Sequence, residues 1–258
     1  MPLERWSDGV EGCLRRQGRL IRLPTGCPVV FVGDTHGDLD ATERVFERYP
    51  PSDHLIVFTG DVVDRGPDSE GNLERILREK RAHSEHVFLL MGNHEAWAVR
   101  PFAPADFWEG LPEERRMRLG TLLAGLPYAA WHDAGVLAVH GALPGVESIG
   151  EIAAVAPGTF DWRRMTWGDW VDLPGDVIDP GIGGRPLLGR GAFDAAAERL
   201  GIRVLVRSHQ PDAPTYLFED RCLTLFTSHA YGDGIRRVAL LADGGIVRSA
   251  RDLRLEEV

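Results

Sequence analysis

Five short segments of this 258-residue chain set acid, amide or imidazole side chains directly after an apolar run. They are Gly33-Asp34-Thr35-His36-Gly37, Gly60-Asp61-Val62-Val63-Asp64-Arg65-Gly66, Gly92-Asn93-His94-Glu95, His140-Gly141 and Arg207-Ser208-His209. One such residue after a strand is ordinarily a helix cap or a turn residue. Five together need another explanation, because the carboxyl ends of strands in an open α/β sheet are where ligands bind. Asp34, His36, Asp61, Asn93, His140 and His209 offer hard oxygen and imidazole nitrogen without thiolate, a set suited to Mn2+, Fe or Zn2+. Six ligands exceed what one catalytic ion with open positions can use. They suit two divalent ions about 3.5–4 Å apart that share a carboxylate. Such a pair retains positive charge, so its natural guest is an anion, phosphate first.

The elements that must position these residues alternate. Apolar runs at 29–32, 55–59, 86–90, 135–139 and 203–206 read as strands. Helical spacing appears at 39–49, 69–81 and 192–200, so the pattern predicts βαβ units and an α/β fold. Residues 96–125 read as helical, with Pro112 opening a helix. The Gly-, Pro- and Trp-rich stretch 157–191 reads as long loops, of a length that usually serves function. The close spacing of 215–218, 222–226 and 234–241 predicts an antiparallel meander. Residues 1–27 read as a lead-in segment, and no composition break divides 1–258, which is therefore expected to be one domain.

Composition excludes several classes. A chain 43% hydrophobic is not too polar to fold. Acids outnumber bases 39 to 29, the opposite of the balance a nucleic-acid binder shows. No apolar run approaches the roughly 18–20 residues of a membrane span, and the Arg- and Glu-rich start lacks a secretory apolar region. The scattered Cys13, Cys27 and Cys222 form no CxxC pair and read as thiols in a reducing cytoplasm.

In this order and spacing, the five segments resemble the PPP family of metal-dependent phosphatases, within the calcineurin-like phosphoesterases. The resemblance spans about residues 29–231. It implies a central β-sandwich of mixed sheets flanked by helices (α/β/β/α). It implies two divalent ions, Mn2+ first and Fe or Zn2+ as alternatives. Asp34, His36 and Asp61 resemble the ligands of one ion, with Asp61 bridging, and Asp61, Asn93, His140 and His209 those of the other. His94 resembles the general acid, with Asp64 behind it, and Arg65 a phosphate clamp. Arg185 is the positional match for a second phosphate arginine and Arg190 the alternative. Tyr231 resembles a tyrosine beside the substrate. The implied reaction is hydrolysis by a hydroxide shared between the ions, without a phosphoenzyme.

The chain departs from the family at Ala142, where a second glycine is usual, and at Thr227-Ser228-His229-Ala230, which precedes Tyr231. Eukaryotic regulatory partners are therefore not carried over. The expected activity is that of a phosphoserine/phosphothreonine protein phosphatase, a phosphoric monoester hydrolase in the cytoplasm. Its substrate would be a phosphorylated protein or small phosphoester, with no nucleic acid and no membrane involved. The alternatives are a symmetrical dinucleoside tetraphosphatase and an inactive phosphate-binding module. Glu95 reads as a residue that orients the turn or caps the following helix, and His54, His83, His86 and His132 as surface residues. His229 reads either as a site neighbour or as a bystander. Trp162, Trp167 and Trp170 read as core, with a place for one of them beside the substrate cleft as the alternative.

Overall fold

The computed structural model describes residues 7–176, 184–232 and 236–258. In chain order these begin with α1 (Ser7–Gln17), β1 (Leu20–Arg22) and β2 (Val29–Val32). The residues that read as a lead-in thus supply a helix and an edge strand paired in parallel with a later strand. Asp38 caps α2 (Leu39–Arg48) by accepting the Ala41 N–H. After β3 (Leu55–Phe58), Asp68 caps α3 (Ser69–Ala82) through Gly71 in the same way, and β4 (Val87–Leu89) follows.

Residues 96–125 are not one helix. A 3-10 turn at Glu95–Ala98 is followed by α4 (Asp106–Gly110) and α5 (Glu113–Leu123). Pro101, Pro104 and Pro112 fall between these pieces, and proline cannot donate to an intrahelical ladder. Next come β5 (Ala129–His132), which the sequence reading lacks, and β6 (Val136–Val139). The expected loop region contains α6 (Phe160–Trp167), β7 (Asp169–Trp170) and β8 (Leu187–Leu188). Residues 177–183 of that region lie outside the described residues. The chain continues through α7 (Arg190–Leu200), β9 (Val204–Arg207), β10 (Tyr216–Leu217), β11 (Cys222–Thr224), β12 (Arg237–Leu241) and β13 (Arg254–Glu257).

Two mixed sheets result, ordered β1-β5-β6-β9-β11-β10 and β13-β12-β2-β3-β4. The expected meander does not form. β10 and β11 pair antiparallel in the first sheet, and β12 pairs antiparallel with β2 in the second. The start of the expected third strand, 234–235, lies outside the described residues.

Strand alternation sorts the core into layers. Val29 and Phe31 of β2 join Val57, Ala138, Val206, Leu223 and Ala239 in one cluster between the sheets. Val30 and Val32 face the other way, with Val45 and Phe46 of α2 and Leu73 and Ile76 of α3. Leu137 and Leu205 of the six-stranded sheet likewise share a cluster with Phe193 and Leu200 of α7. Strands buried on both faces read as continuous apolar runs, which is why β2, β3 and β9 were legible. The architecture is helices, sheet, sheet, helices, as the resemblance implies.

Strand direction brings the chemistry to one rim. β2, β3 and β4 are mutually parallel, as are β6, β9 and β11. A parallel bridge between Asp34 and Phe226 ties the carboxyl ends of the two sheets together. Gly33 permits that approach, since a Cβ there would overlap the Leu225 carbonyl.

Candidate metal centre

Asp34, His36, Asp61, Asn93, His140 and His209 are all buried and meet at this rim. Asp61 is the hub. Its Oδ2 lies 3.8 Å from His36 Nε2 and 3.2 Å from His140 Nε2, and Oδ1 accepts the His94 N–H at 2.9 Å. Asp34 Oδ2 lies 3.7 Å from His36 Nε2, and its Oδ1 lies 3.6 Å from His140 Nδ1. Asn93 Oδ1 and His209 Nδ1 lie 3.2 and 3.1 Å from the same His140 Nε2. Asp61, His140 and His209 form one group with metal-ligand spacing, and His36, Asp61 and His94 another.

The candidate ligand atoms are aimed by the backbone. Nδ1 of His36 bonds the Val63 carbonyl at 2.8 Å, and Nδ1 of His140 the Thr59 carbonyl at 3.1 Å. In a neutral ring the nitrogen bonded to a carbonyl carries the proton, so Nε2 is the atom that each ring offers to a cation. Glu95 performs the orienting role read for it: buried, it accepts the backbone N–H groups of Asp61, Val62 and Gly92 at 2.7, 2.9 and 3.0 Å. This clamp holds Asp61 at φ 53°, and His36, Asp64, Arg65 and His209 also have φ between 41° and 72°. Non-glycine residues in that region cost of order 1–3 kcal/mol each and persist where the surroundings over-determine them. Gly92 completes the pocket, because a Cβ there would overlap Asp61 Oδ1 and lie 2.8 Å from Glu95 Oε2.

Electrostatics show what the donor set lacks. Burial, with Asp61 adding to it, raises Asp34 to about 7. Burial opposes the charge on Asp61, but His140 and His94 outweigh it and hold that carboxyl well below its usual range. His140 is raised to about 9 against its burial by Asp61 and Asp34, while burial and then His94 lower His36 to about 4. Burial and Arg185 press His209 well below the ordinary imidazole range. Neighbouring groups thus divide a few protons among converging lone pairs. Divalent cations fit this set: they satisfy carboxylate oxygen, amide oxygen and imidazole nitrogen together.

Beside these residues stands a His–Asp pair. His94 Nδ1 lies 2.5 Å from Asp64 Oδ2, and Asp64 Oδ1 accepts the Phe107 N–H at 2.7 Å. Burial works against a charged His94, yet Asp61 and Asp64 raise its pKa. Arg65 is exposed at the rim. Tyr231 Oη lies 3.1 Å from His36 Nε2. Arg185 Nη2 lies 2.6 Å from His209 Nε2 and 2.8 Å from Asp169 Oδ1. Arg190 instead pairs with Asp172 and Glu219. The two arginines left open by the sequence are thereby separated, and Arg185 is the one at the centre.

Other expectations resolve individually. His229 is exposed, and its backbone N–H donates to Asp38. His132 is buried on β5 rather than on the surface, and His54 and His86 are half-buried. Trp162 and Trp170 are core, while Trp167 lies 6.3 Å, ring to ring, from His209. Trp167 also meets Phe102, whose ring is 4.8 Å from that of His94. Sequence reasoning missed Asp169 and Phe102. Asp169 stands between two tryptophans in a stretch without periodicity, and Phe102 between prolines, so neither position carries a pattern. Cys13, Cys27 and Cys222 are all unpaired. Among the described residues no helix is long and apolar enough to cross a membrane.

The profile of the calcineurin-like phosphoesterase family matches residues 27–213. The chain is 26% identical over 226 residues to the serine/threonine-protein phosphatase PP2A-like PPG1 of Candida albicans, covering 79% of this chain and 52% of that protein. It spans about half the length of the curated relatives it matches. A Saccharomyces cerevisiae protein serine/threonine phosphatase with similarity to human phosphatase PP5 superposes with a TM-score of 0.82 at 20% identity, covering 99% of this chain and 89% of that one. A cold-active protein-tyrosine phosphatase from a Shewanella species superposes with a TM-score of 0.58 at 18% identity, covering 93% and 82%. At these identities the two structures speak to the fold alone.

Proposed function

Because the chain belongs to the calcineurin-like phosphoesterase family, we propose that it is a PPP-type hydrolase of phosphoserine and phosphothreonine in proteins. The observation that carries this reading is the His94–Asp64 pair held at 2.5 Å beside six converging candidate ligands. In the proposal Asp34, His36 and Asp61 hold one divalent cation and Asp61, Asn93, His140 and His209 the other, with Mn2+ the first choice. Bound cations supply a water acidic enough to ionise near neutral pH and positive charge against phosphoryl oxygens.

The chain's own residues do the rest. Nδ1 of His94 faces Asp64, so the proton to be given to the departing alkoxide sits on Nε2, which lies 3.8 Å from Asp61 Oδ2. Asp61 and Asp64 together favour the imidazolium against the burial that opposes it. Arg65 and Arg185 hold phosphoryl oxygens as forked donors. Tyr231 orients the substrate from the His36 side. Buried ligands and a fixed acid meet charge in a pre-set geometry, the usual source of large rate enhancement for phosphoesters.

The reading takes residues 1–258 as one catalytic domain. It places the protein in the cytoplasm, a location its three unpaired cysteines support. The acidic excess supports a substrate other than nucleic acid. Side-by-side assays of Mn2+-supplemented protein on phosphoserine peptides and diadenosine tetraphosphate test the proposal. Turnover of the peptides supports it. Turnover of the dinucleotide alone moves the assignment to a phosphoanhydride hydrolase, and binding of two metals without any turnover moves it to a phosphate-binding module.

A further inference from the structure

The α1 end of the molecule holds a second concentration of charge that the proposed reaction does not use. Lys80, the chain's single lysine, is fully buried on α3. Its ammonium donates to Gln17 Oε1 at 2.6 Å and the Val87 carbonyl at 3.2 Å, and lies 5.6 Å from the centre of the Phe88 ring. Among the described residues it has no carboxylate at ion-pair distance. A buried ammonium normally has one, or loses its proton. Burial pushes Lys80 down to about 8, with Cys13 and Glu85 opposing more weakly, so it is still charged near neutral pH.

Gln17 and Phe88 also line an open cavity of about 220 Å3 between α1, β1 and the turn before β4. Two exposed guanidiniums line it as well. Among the described residues Arg16 has only Cys13 Sγ as a partner, at 3.4 Å, and the Arg22 side chain has none. Arg44, Arg75, Arg190 and Arg236, by contrast, pair with carboxylates. Glu85 is the one acid in the lining. In a chain of net charge −10 this is a pocket of excess positive charge.

We propose that this cavity is a site for a small tetrahedral oxyanion, gripped by Arg16 and Arg22 at its mouth, with Lys80 as the charge behind its wall. Guanidinium forks match such an anion, and the anion supplies the counter-charge that the ammonium lacks. Ser84 and Glu85 precede β4, whereas Asn93 and His94 follow it, so the site lies at the opposite end of that strand from the metal centre. It stands independently of the phosphatase reading.

A single lysine makes the test direct. Protein labelled at the lysine side chain gives one Lys80 signal, to be titrated with sodium phosphate and sodium sulfate against sodium chloride at matched ionic strength. The expected result is a saturable shift with both oxyanions and a rise in the midpoint at which Lys80 loses its proton, because a nearby opposite charge favours the charged form. A response to phosphate alone would tie the site to the reaction product. Arg16→Ala/Arg22→Ala should weaken the response by about tenfold or more, and Glu85→Gln should strengthen it. The proposal is overturned if chloride acts equally, if neither oxyanion moves the signal, or if the double variant responds undiminished.

Discussion

His94 and Asp64 meet through Nδ1 and Oδ2 at 2.5 Å, on a carboxylate whose other oxygen is tied to the Phe107 N–H. The carboxylate therefore cannot rotate away, and the ring it orients presents Nε2 to the site. His94→Asn should lower kcat by roughly 10²–10⁴-fold, the scale for losing a positioned acid, with metal content unchanged. Asp64→Asn removes one of the charges that raise His94, after the larger influence of Asp61. A lower pKa means the acid is lost sooner on the alkaline side, so the falling limb of kcat should move to lower pH. A limb that stays in place would show that the transferred proton does not reside on His94.

Asp61 touches both halves of the centre, and its place depends on a missing side chain at Gly92. Asp61→Asn should strip or misplace both metals. Gly92→Ala should act the same way at one remove, because its Cβ overlaps Asp61 Oδ1. Elemental analysis after dialysis checks this. Full metal content in folded Gly92→Ala protein would mean that the carboxylate can relocate without cost.

The residues that converge here were legible because each follows a doubly buried apolar strand. A run such as Val29-Val30-Phe31-Val32 can be read without knowing its partners, and so can Leu55–Phe58. β5 was not legible, because its Ala-Ala-Trp-His has little β-branched character and owes its pairing to β1 and β6. β1 and β13 are short edge strands defined by what they dock on. The change of sheet after Phe226 is a tertiary event, since the local sequence is equally compatible with a meander. The candidate metal ligands sit at strand ends and inherit that clarity. Arg185 and Asp169 come from an irregular region, where only the fold brings side chains together.

Arg185 and Arg190 are five residues apart and have opposite surroundings. Arg185 touches His209 and Asp169, whereas Arg190 is engaged by Asp172 and Glu219. Arg185→Ala should raise KM for phosphoester and lower kcat/KM by about 10–100-fold, equivalent to losing a charge-assisted hydrogen bond of about 1.5–3 kcal/mol. Arg190→Ala should stay within about threefold of the parent, since exposed ion pairs contribute about 0–1 kcal/mol. Steady-state kinetics on p-nitrophenyl phosphate separates the two. The reverse ranking would put Arg190 on the substrate.

Lys80 should leave a signature in the pH dependence of stability. Its folded pKa is about 8, against an ordinary lysine value of 10.5. Between these values the unfolded chain holds a proton that the folded chain has released, and stability rises with pH wherever the unfolded state binds more protons. The cost of the buried charge is therefore fully present below about pH 8 and relieved as pH climbs toward 10.5. Cys222 acts in the opposite sense, because burial raises its thiol to about 12 and the unfolded chain loses that proton first. The comparison must accordingly be between parent and Lys80→Met, which share Cys222. In buffers free of phosphate and sulfate, the difference in unfolding free energy should shift in favour of the parent by on the order of 2–4 kcal/mol across this range. Denaturant titrations at several pH values supply the measurement. A difference that stays flat from pH 8 to 10.5 would mean that Lys80 keeps its proton in the folded protein, through a counter-charge already in place.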